Sequence, residues 1–106
     1  MKYCCVLSTV PDIKKARQLA GLLVSRRLAA CVQVLPGLES HYRWRGKKET
    51  SREVLLLIKT RASLYKKLET AILKNHPYEV PEILCLPITR GSKPYLDWVS
   101  GEVAAF

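Results

Sequence analysis

Apolar residues along this chain recur at two spacings in alternation, and each change of spacing marks an element. Tyr3 to Thr9 is a short apolar run with aromatic and β-branched members, which suits a strand. Val10-Pro11-Asp12 stops it: Pro11 favours an extended or turn conformation, and the Asp12 carboxylate can accept an orphan helix N–H as an N-cap. From Ile13 the spacing becomes helical. Ile13, Ala16, Ala20, Leu23 and Val24 fall on one face, with Lys14, Lys15, Arg17, Gln18 and Arg26 on the other. Leu28 to Leu35 is a second apolar run, closed by Pro36-Gly37. Between Leu38 and Arg45, Tyr42 and Trp44 alternate with Arg43 and Arg45, a period of two, and Gly46-Lys47 reads as a hairpin turn with the glycine supplying a positive φ.

The segment from Glu53 to Thr60 holds the densest apolar run, Val54-Leu55-Leu56-Leu57-Ile58. Continuous apolarity suggests a strand covered on both faces; a buried helix is the alternative, and the length favours the strand. Ser63 is an N-cap candidate for a second amphipathic helix through Leu64, Leu68, Ala71 and Ile72. That helix ends before His76-Pro77, because the residue preceding proline avoids the α region. Ile83 to Ile88 is the last strand, with Pro87 placing it at an edge or a bulge. A closing helical turn at Pro94 to Val99 follows. The order predicts an α+β fold, a ferredoxin-like βαββαβ unit with helices on one face of an antiparallel sheet. A long protruding hairpin joins the second and third strands, and a short C-terminal helix completes the unit.

The 106 residues and 12.0 kDa amount to a single domain over residues 1–106. The longest apolar runs are five residues, such as Val54 to Ile58, whereas a membrane-spanning helix needs about 20. No secretory segment is read at the start, so a soluble protein with a cytoplasmic address is expected. The four cysteines, Cys4, Cys5, Cys31 and Cys85, form no C-x-x-C pair and read as small core hydrophobes in a reducing compartment. The net charge of +9 raises nucleic-acid binding, yet the basic residues are scattered along polar helix faces, which reads as a solvated surface.

Enzyme signatures are missing. The five glycines build neither a dinucleotide fingerprint nor a phosphate loop, and there is no G-x-S-x-G elbow. His41 and His76 cannot supply a three-histidine metal site. A Cys–His dyad of His76 with Cys31 or Cys85 is conceivable only in space. No catalytic residue is expected.

Four segments together resemble the CutA divalent-cation-tolerance family: Arg27-Leu28-Ala29-Ala30-Cys31-Val32, Ser40-His41-Tyr42-Arg43-Trp44-Arg45-Gly46-Lys47, Lys59-Thr60, and His76-Pro77-Tyr78-Glu79-Val80-Pro81-Glu82-Ile83. The ending Gly91 to Val99 fits as well, and the likeness spans the chain. The resemblance implies a ferredoxin-like fold similar to the PII signalling proteins and a homotrimer in which sheet edges of neighbouring subunits pair. It implies a role in tolerance of copper or another divalent cation, with no cofactor required. Some relatives carry proposed copper ligands where this chain has Ser8, Asn75 and His76, and of these His76 alone is a good ligand.

The candidate metal ligands are His76, Cys31, Glu79 and Glu82. His76 has a second reading, bonding to the last carbonyls of its helix, and Cys31 a second reading as a packed strand residue. Glu79 and Glu82 are either surface carboxylates or hard-cation groups at an intersubunit cleft. Lys59, at the end of an apolar strand, either pairs with one of these glutamates or contacts an anion. Tyr42, Trp44, Tyr78, Tyr95 and Trp98 complete the expected cleft, as packing or as a stacking surface. Three functions follow: a non-enzymatic trimer in divalent-metal response, a PII-like intersubunit sensor of a small anionic ligand, or a basic nucleic-acid-binding module.

Overall fold

The computed structural model describes residues 1–105. The elements are β1 (Tyr3–Val10), α1 (Ile13–Ser25), β2 (Cys31–Trp44), β3 (Lys47–Arg61), a 3-10 turn (Ala62–Leu64), α2 (Tyr65–Asn75), β4 (Ile83–Ile88) and α3 (Lys93–Glu102). The four strands make one antiparallel sheet in the order β2-β3-β1-β4, the expected ferredoxin-like α+β arrangement. Both prolines within strands lie on the edge strands, Pro36 in β2 and Pro87 in β4, where a missing N–H leaves no central ladder unpaired.

Register sorts the side chains onto two faces. Cys4, Val6, Ser8 and Val10 of β1 stand with Thr60, Ile58, Leu56 and Val54 of β3 on the face that α1 and α2 cover. Leu19, Leu23, Leu68 and Ile72 close over them, and all are essentially fully buried. Asp12 caps α1 as expected, its Oδ1 accepting the Lys15 amide at 2.8 Å. The apolar stripe of α1 is Ala16, Leu19 and Leu23; Ile13 and Val24, assigned to it by spacing, are exposed at the rim.

The opposite face is open. Cys5 and Leu7 of β1 stand there with Leu55, Leu57 and Lys59 of β3, Cys31, Gln33 and Leu35 of β2, and Leu84 and Leu86 of β4. Of the helices, α3 alone packs on this side, tied by the Tyr3–Ser100 hydroxyl bond at 2.7 Å. The expectation that β3 is covered on both faces therefore fails within one chain: Val54, Leu56 and Ile58 are buried, whereas Leu55 and Leu57 are half-buried. Nor do all helices share one face.

Three local expectations also change. Pro36-Gly37 does not end the second strand. Leu35 pairs with Leu55 and Leu38 with Glu53, so β2 spends three steps where β3 spends two, and Gly37 takes a φ of +84° to absorb the extra residue. The hairpin turns one residue earlier than Gly46-Lys47: Arg45 and Gly46 are the central pair, with φ of 52° and 79°, the positive values a type I′ turn requires. Ser63 lies inside the 3-10 turn and makes no cap bond to α2.

Arg27 also takes a positive φ, 57°, just past α1. Its guanidinium donates to the carbonyls of Glu102, Gly101 and Val103 at 3.1–3.3 Å, so it caps the C-terminal end of α3, where a cation complements the helix dipole. The 2.8 Å bond from the Ala104 amide to the Arg27 carbonyl completes this clasp between α1 and α3.

Two identical substitutions should have opposite signs. Gly21 lies on the exposed side of α1 with open space where a Cβ would stand, so Gly21→Ala should raise stability by about 0.5–1 kcal/mol. Gly37 also has space but holds its positive φ, so Gly37→Ala should lower it by about 1–2 kcal/mol. Urea midpoints at one fixed protein concentration measure both.

Candidate functional site

Past Val54 the hairpin outruns β1. Leu38–Trp44 pairs with Lys47–Glu53 as a two-stranded ribbon with no third strand, and it lengthens the molecule to 44 × 25 × 23 Å. The segment leaving α2, residues 77–82, returns across the base of this ribbon on the open face. Between ribbon and segment lies a cavity of about 640 Å³, walled by Tyr42 and Trp44 on one side and Tyr78 and Val80 on the other, with Thr9 and Glu53 at its base.

The extra residue at Pro36-Gly37 aims the ribbon. Before it, odd-numbered residues of β2 face the open side; after it, Leu38, Ser40, Tyr42 and Trp44 do, because they pair with Glu53, Ser51, Glu49 and Lys47. Tyr42 and Trp44 thus share a face with Glu53. That carboxylate is only 9% exposed, and its Oε2 accepts the Tyr78 hydroxyl at 2.9 Å. Burial, then the bond to Glu53, raises the Tyr78 hydroxyl far above the usual phenol value.

His76 fixes the returning segment. Its Nε2–H donates to the Thr9 carbonyl at 2.7 Å and its Nδ1 accepts the Tyr78 amide at 3.1 Å, while the two rings lie 4.8 Å apart. A carbonyl only accepts and an amide only donates, so the ring is held as one neutral tautomer. Burial lowers its pKa, with the Thr9 carbonyl opposing and Lys15 adding to the shift. The expected cap on the α2 carbonyls is not made by His76; the Asn75 side-chain amide donates to Ala71 O at 2.8 Å instead. With both nitrogens engaged, His76 pairs with neither Cys31 nor Cys85, and no Cys–His dyad is assembled.

The other expected residues divide between the two ends of the open face. Glu79 and Glu82 line the cavity with Tyr42, Trp44 and Tyr78. Glu79 accepts from Arg45 Nη2 at 2.9 Å, and the same guanidinium sits 5.4 Å from the centre of the Trp44 ring. Cys31 and Lys59 face each other across β2 and β3, with Cys5 on the far side of Lys59. From Cys5 to Thr9 is four residues of strand, about 13 Å. Lys59 Nζ donates to Gln33 Oε1 rather than to either glutamate. Tyr95 and Trp98, ring centres 5.6 Å apart on α3, lie at the Cys31 end, where burial and then the nearby Cys31 raise the Tyr95 hydroxyl. Among the described residues no three His, Cys, Asp or Glu side chains come close enough to hold one metal ion. His76, Cys31, Glu79 and Glu82 are therefore not one ligand set within a single chain.

All four cysteines are free, and the core reading fits Cys4 best. Cys4 is fully buried and its thiol is pushed up to about 12 by burial and then by Cys85; Cys5, half-buried, is raised by burial against the opposing pull of Lys59. The reading by sequence missed Glu53 and Thr9. The signal was present for Glu53, a carboxylate in step with Leu55 and Leu57 at a spacing of two.

The neutral His76 sets a pH dependence. Its folded pKa lies below the ordinary value of 6.5, so the unfolded chain binds the proton first as pH falls, and stability present above 6.5 is lost on the way down through the folded pKa. Urea midpoints between about pH 7.5 and pH 5.5 should fall for the native chain and stay flatter for His76→Gln.

Comparison with known proteins agrees with this geometry. Residues 4–102 match the family described as CutA1 divalent ion tolerance protein. The divalent-cation tolerance protein CutA of Thermus thermophilus is 50% identical over 94 residues, spanning 89% of this chain and 91% of that protein. The Arabidopsis thaliana protein CutA, described as chloroplastic, is 48% identical over 94 residues, but this chain covers 52% of its length. The crystal structure of CutA1 from Oryza sativa superposes with a TM-score of 0.95 at 43% identity, covering 98% of this chain and 95% of that one. With that match along nearly its whole length, and the same sheet and helices in space, the chain belongs to the CutA1 divalent ion tolerance family.

Proposed function

We propose that this protein acts without catalysis in divalent-cation tolerance, as a homotrimer of one-domain subunits in the cytoplasm, with copper or another divalent cation as its ion. Kinship with the divalent-cation tolerance proteins supports the role. The open face of the sheet supports the assembly. Leu35 and Leu84 stand 53% and 52% exposed at its two edges, and Leu86, Tyr95 and Trp98 are exposed on the same side. A single apolar patch of this extent, bounded by two unpaired strand edges, is what an oligomer interface covers. Neighbouring copies packed on it would bury Leu55 and Leu57, giving β3 the two-sided cover its sequence pattern suggests.

The anion-sensor reading finds less support in one chain. Lys59 is engaged by Gln33, and the large cavity is lined by three glutamates and by no lysine or arginine. Direct metal coordination, in turn, would draw ligands from more than one copy, with Cys31, Glu79 and Glu82 on or beside the open face as the donors available.

Light scattering should return three times 12.0 kDa at micromolar concentration. Leu84→Glu places a charge at the interface and should shift the mass towards 12.0 kDa; an unchanged mass would remove the open face from the assembly. Calorimetric titration of the tag-free protein with Cu(I), Cu(II) and Zn(II) should show binding tighter than about millimolar, a free energy beyond about −4 kcal/mol. Its absence would exclude direct binding of those ions.

A further inference from the structure

The charge on the cavity wall runs against the charge on the protein. The chain carries 18 Lys and Arg against nine Asp and Glu. Yet three of those nine carboxylates, Glu53, Glu79 and Glu82, line this one cavity, and none of the 18 cations does. Glu79 is balanced by Arg45 at the rim. Glu53 is not balanced: nine-tenths buried, it takes one neutral hydrogen bond from Tyr78 and belongs to none of the three ion pairs among the described residues. A buried carboxylate without a counter-charge is costly to desolvate, and here its free side looks into a space of about 640 Å³.

The walls narrow the chemistry of what would enter. Tyr42 and Trp44 stand on the ribbon and Tyr78 opposite, so the charged base lies between aromatic rings. Aromatic faces attract cations, best those that are weakly hydrated and carry apolar groups. The rim shows the preference, since the Arg45 guanidinium rests over Trp44 while pairing with Glu79. A small metal ion asks instead for several converging donors, which the cavity does not offer.

We infer that this cavity binds an organic ammonium ion, a protonated or quaternary amine on a short apolar stem, with its charge against Glu53 and its alkyl groups against Tyr42, Trp44 and Tyr78. This goes beyond the cation-tolerance reading and does not rest on it.

Choline and its uncharged isostere 3,3-dimethylbutan-1-ol separate charge from shape. Titrated into the assembled full-length protein at about 0.15 M salt, where loose surface pairing is screened, choline should bind saturably, with the isostere at least about tenfold weaker. Glu53→Gln should weaken choline by about tenfold or more. Tyr42→Leu, at an exposed position that leaves the core intact, should weaken it several-fold and carries the test if Glu53→Gln does not fold. Glu102→Gln, at the far end on α3, should leave binding unchanged. Failure of choline to saturate below about 10 mM, a free energy weaker than about −3 kcal/mol, would overturn the inference. So would equal binding of the isostere, or indifference to both cavity substitutions. Zinc binding that persists while choline fails would remove the ammonium site and leave the cation-tolerance reading standing.

Discussion

One extra residue in β2 sets the face of everything beyond it. Side chains alternate along a strand, so an unpaired residue inserted between Leu35 and Leu38 moves each later position to the other side of the ribbon. Gly37 makes the insertion possible with its left-handed φ, and Pro36 tolerates it because β2 is an edge strand. With the insertion, Tyr42 and Trp44 stand on the same side as Glu53, Leu55 and Leu57. Without it they would stand on the helix side, past the end of α1 and α2, with nothing to pack against. The cavity, the acidic base and the aromatic walls all depend on that parity.

The elements themselves were legible because their signals are local. Pro11-Asp12 ends one strand and starts one helix, and Asp12 does cap it. His76-Pro77 ends α2 because a residue before proline leaves the α region, and His76 is extended. What stayed hidden depends on partners distant in sequence. Pro36-Gly37 looks like a terminator unless the opposite strand is known, since a bulge is defined by counting both strands. The Arg45-Gly46 turn is one residue early because arginine rarely takes a positive φ; the Trp44–Lys47 pairing selects it.

The site was half legible for the same reason. Tyr42, Trp44, Tyr78, Glu79 and Glu82 fall together because they belong to two segments, each carrying several of them, that meet once. Cys31 and Lys59 were grouped with them but lie at the other end of the sheet, a distance that no short motif encodes. His76 was a ligand or a cap by residue type and position. In the fold it does not cap the α2 carbonyls: it joins the β1 backbone to the segment carrying Tyr78, and it can do so only as a neutral ring.

Glu53 poses the sharper physical question. Glutamine in its place could still accept the Tyr78 hydroxyl through its carbonyl, with no charge to desolvate. For a domain of this size, whose whole stability is of the order of 10 kcal/mol, an uncompensated buried charge is a sizeable cost. Such a cost is sustained when something outside the isolated chain offsets it. Neighbouring copies on the open face could offset it with a basic residue. In the body of the sheet, however, that face presents mostly apolar side chains from β1, β3 and β4. Of the basic residues β3 places on it, Lys59 is held by Gln33, Arg61 lies at the far end beside Tyr3, and Lys47 lies out at the ribbon tip. The cation that Glu53 requires is then better supplied by a ligand than by the fold, and the aromatic rings around it are suited to hold one.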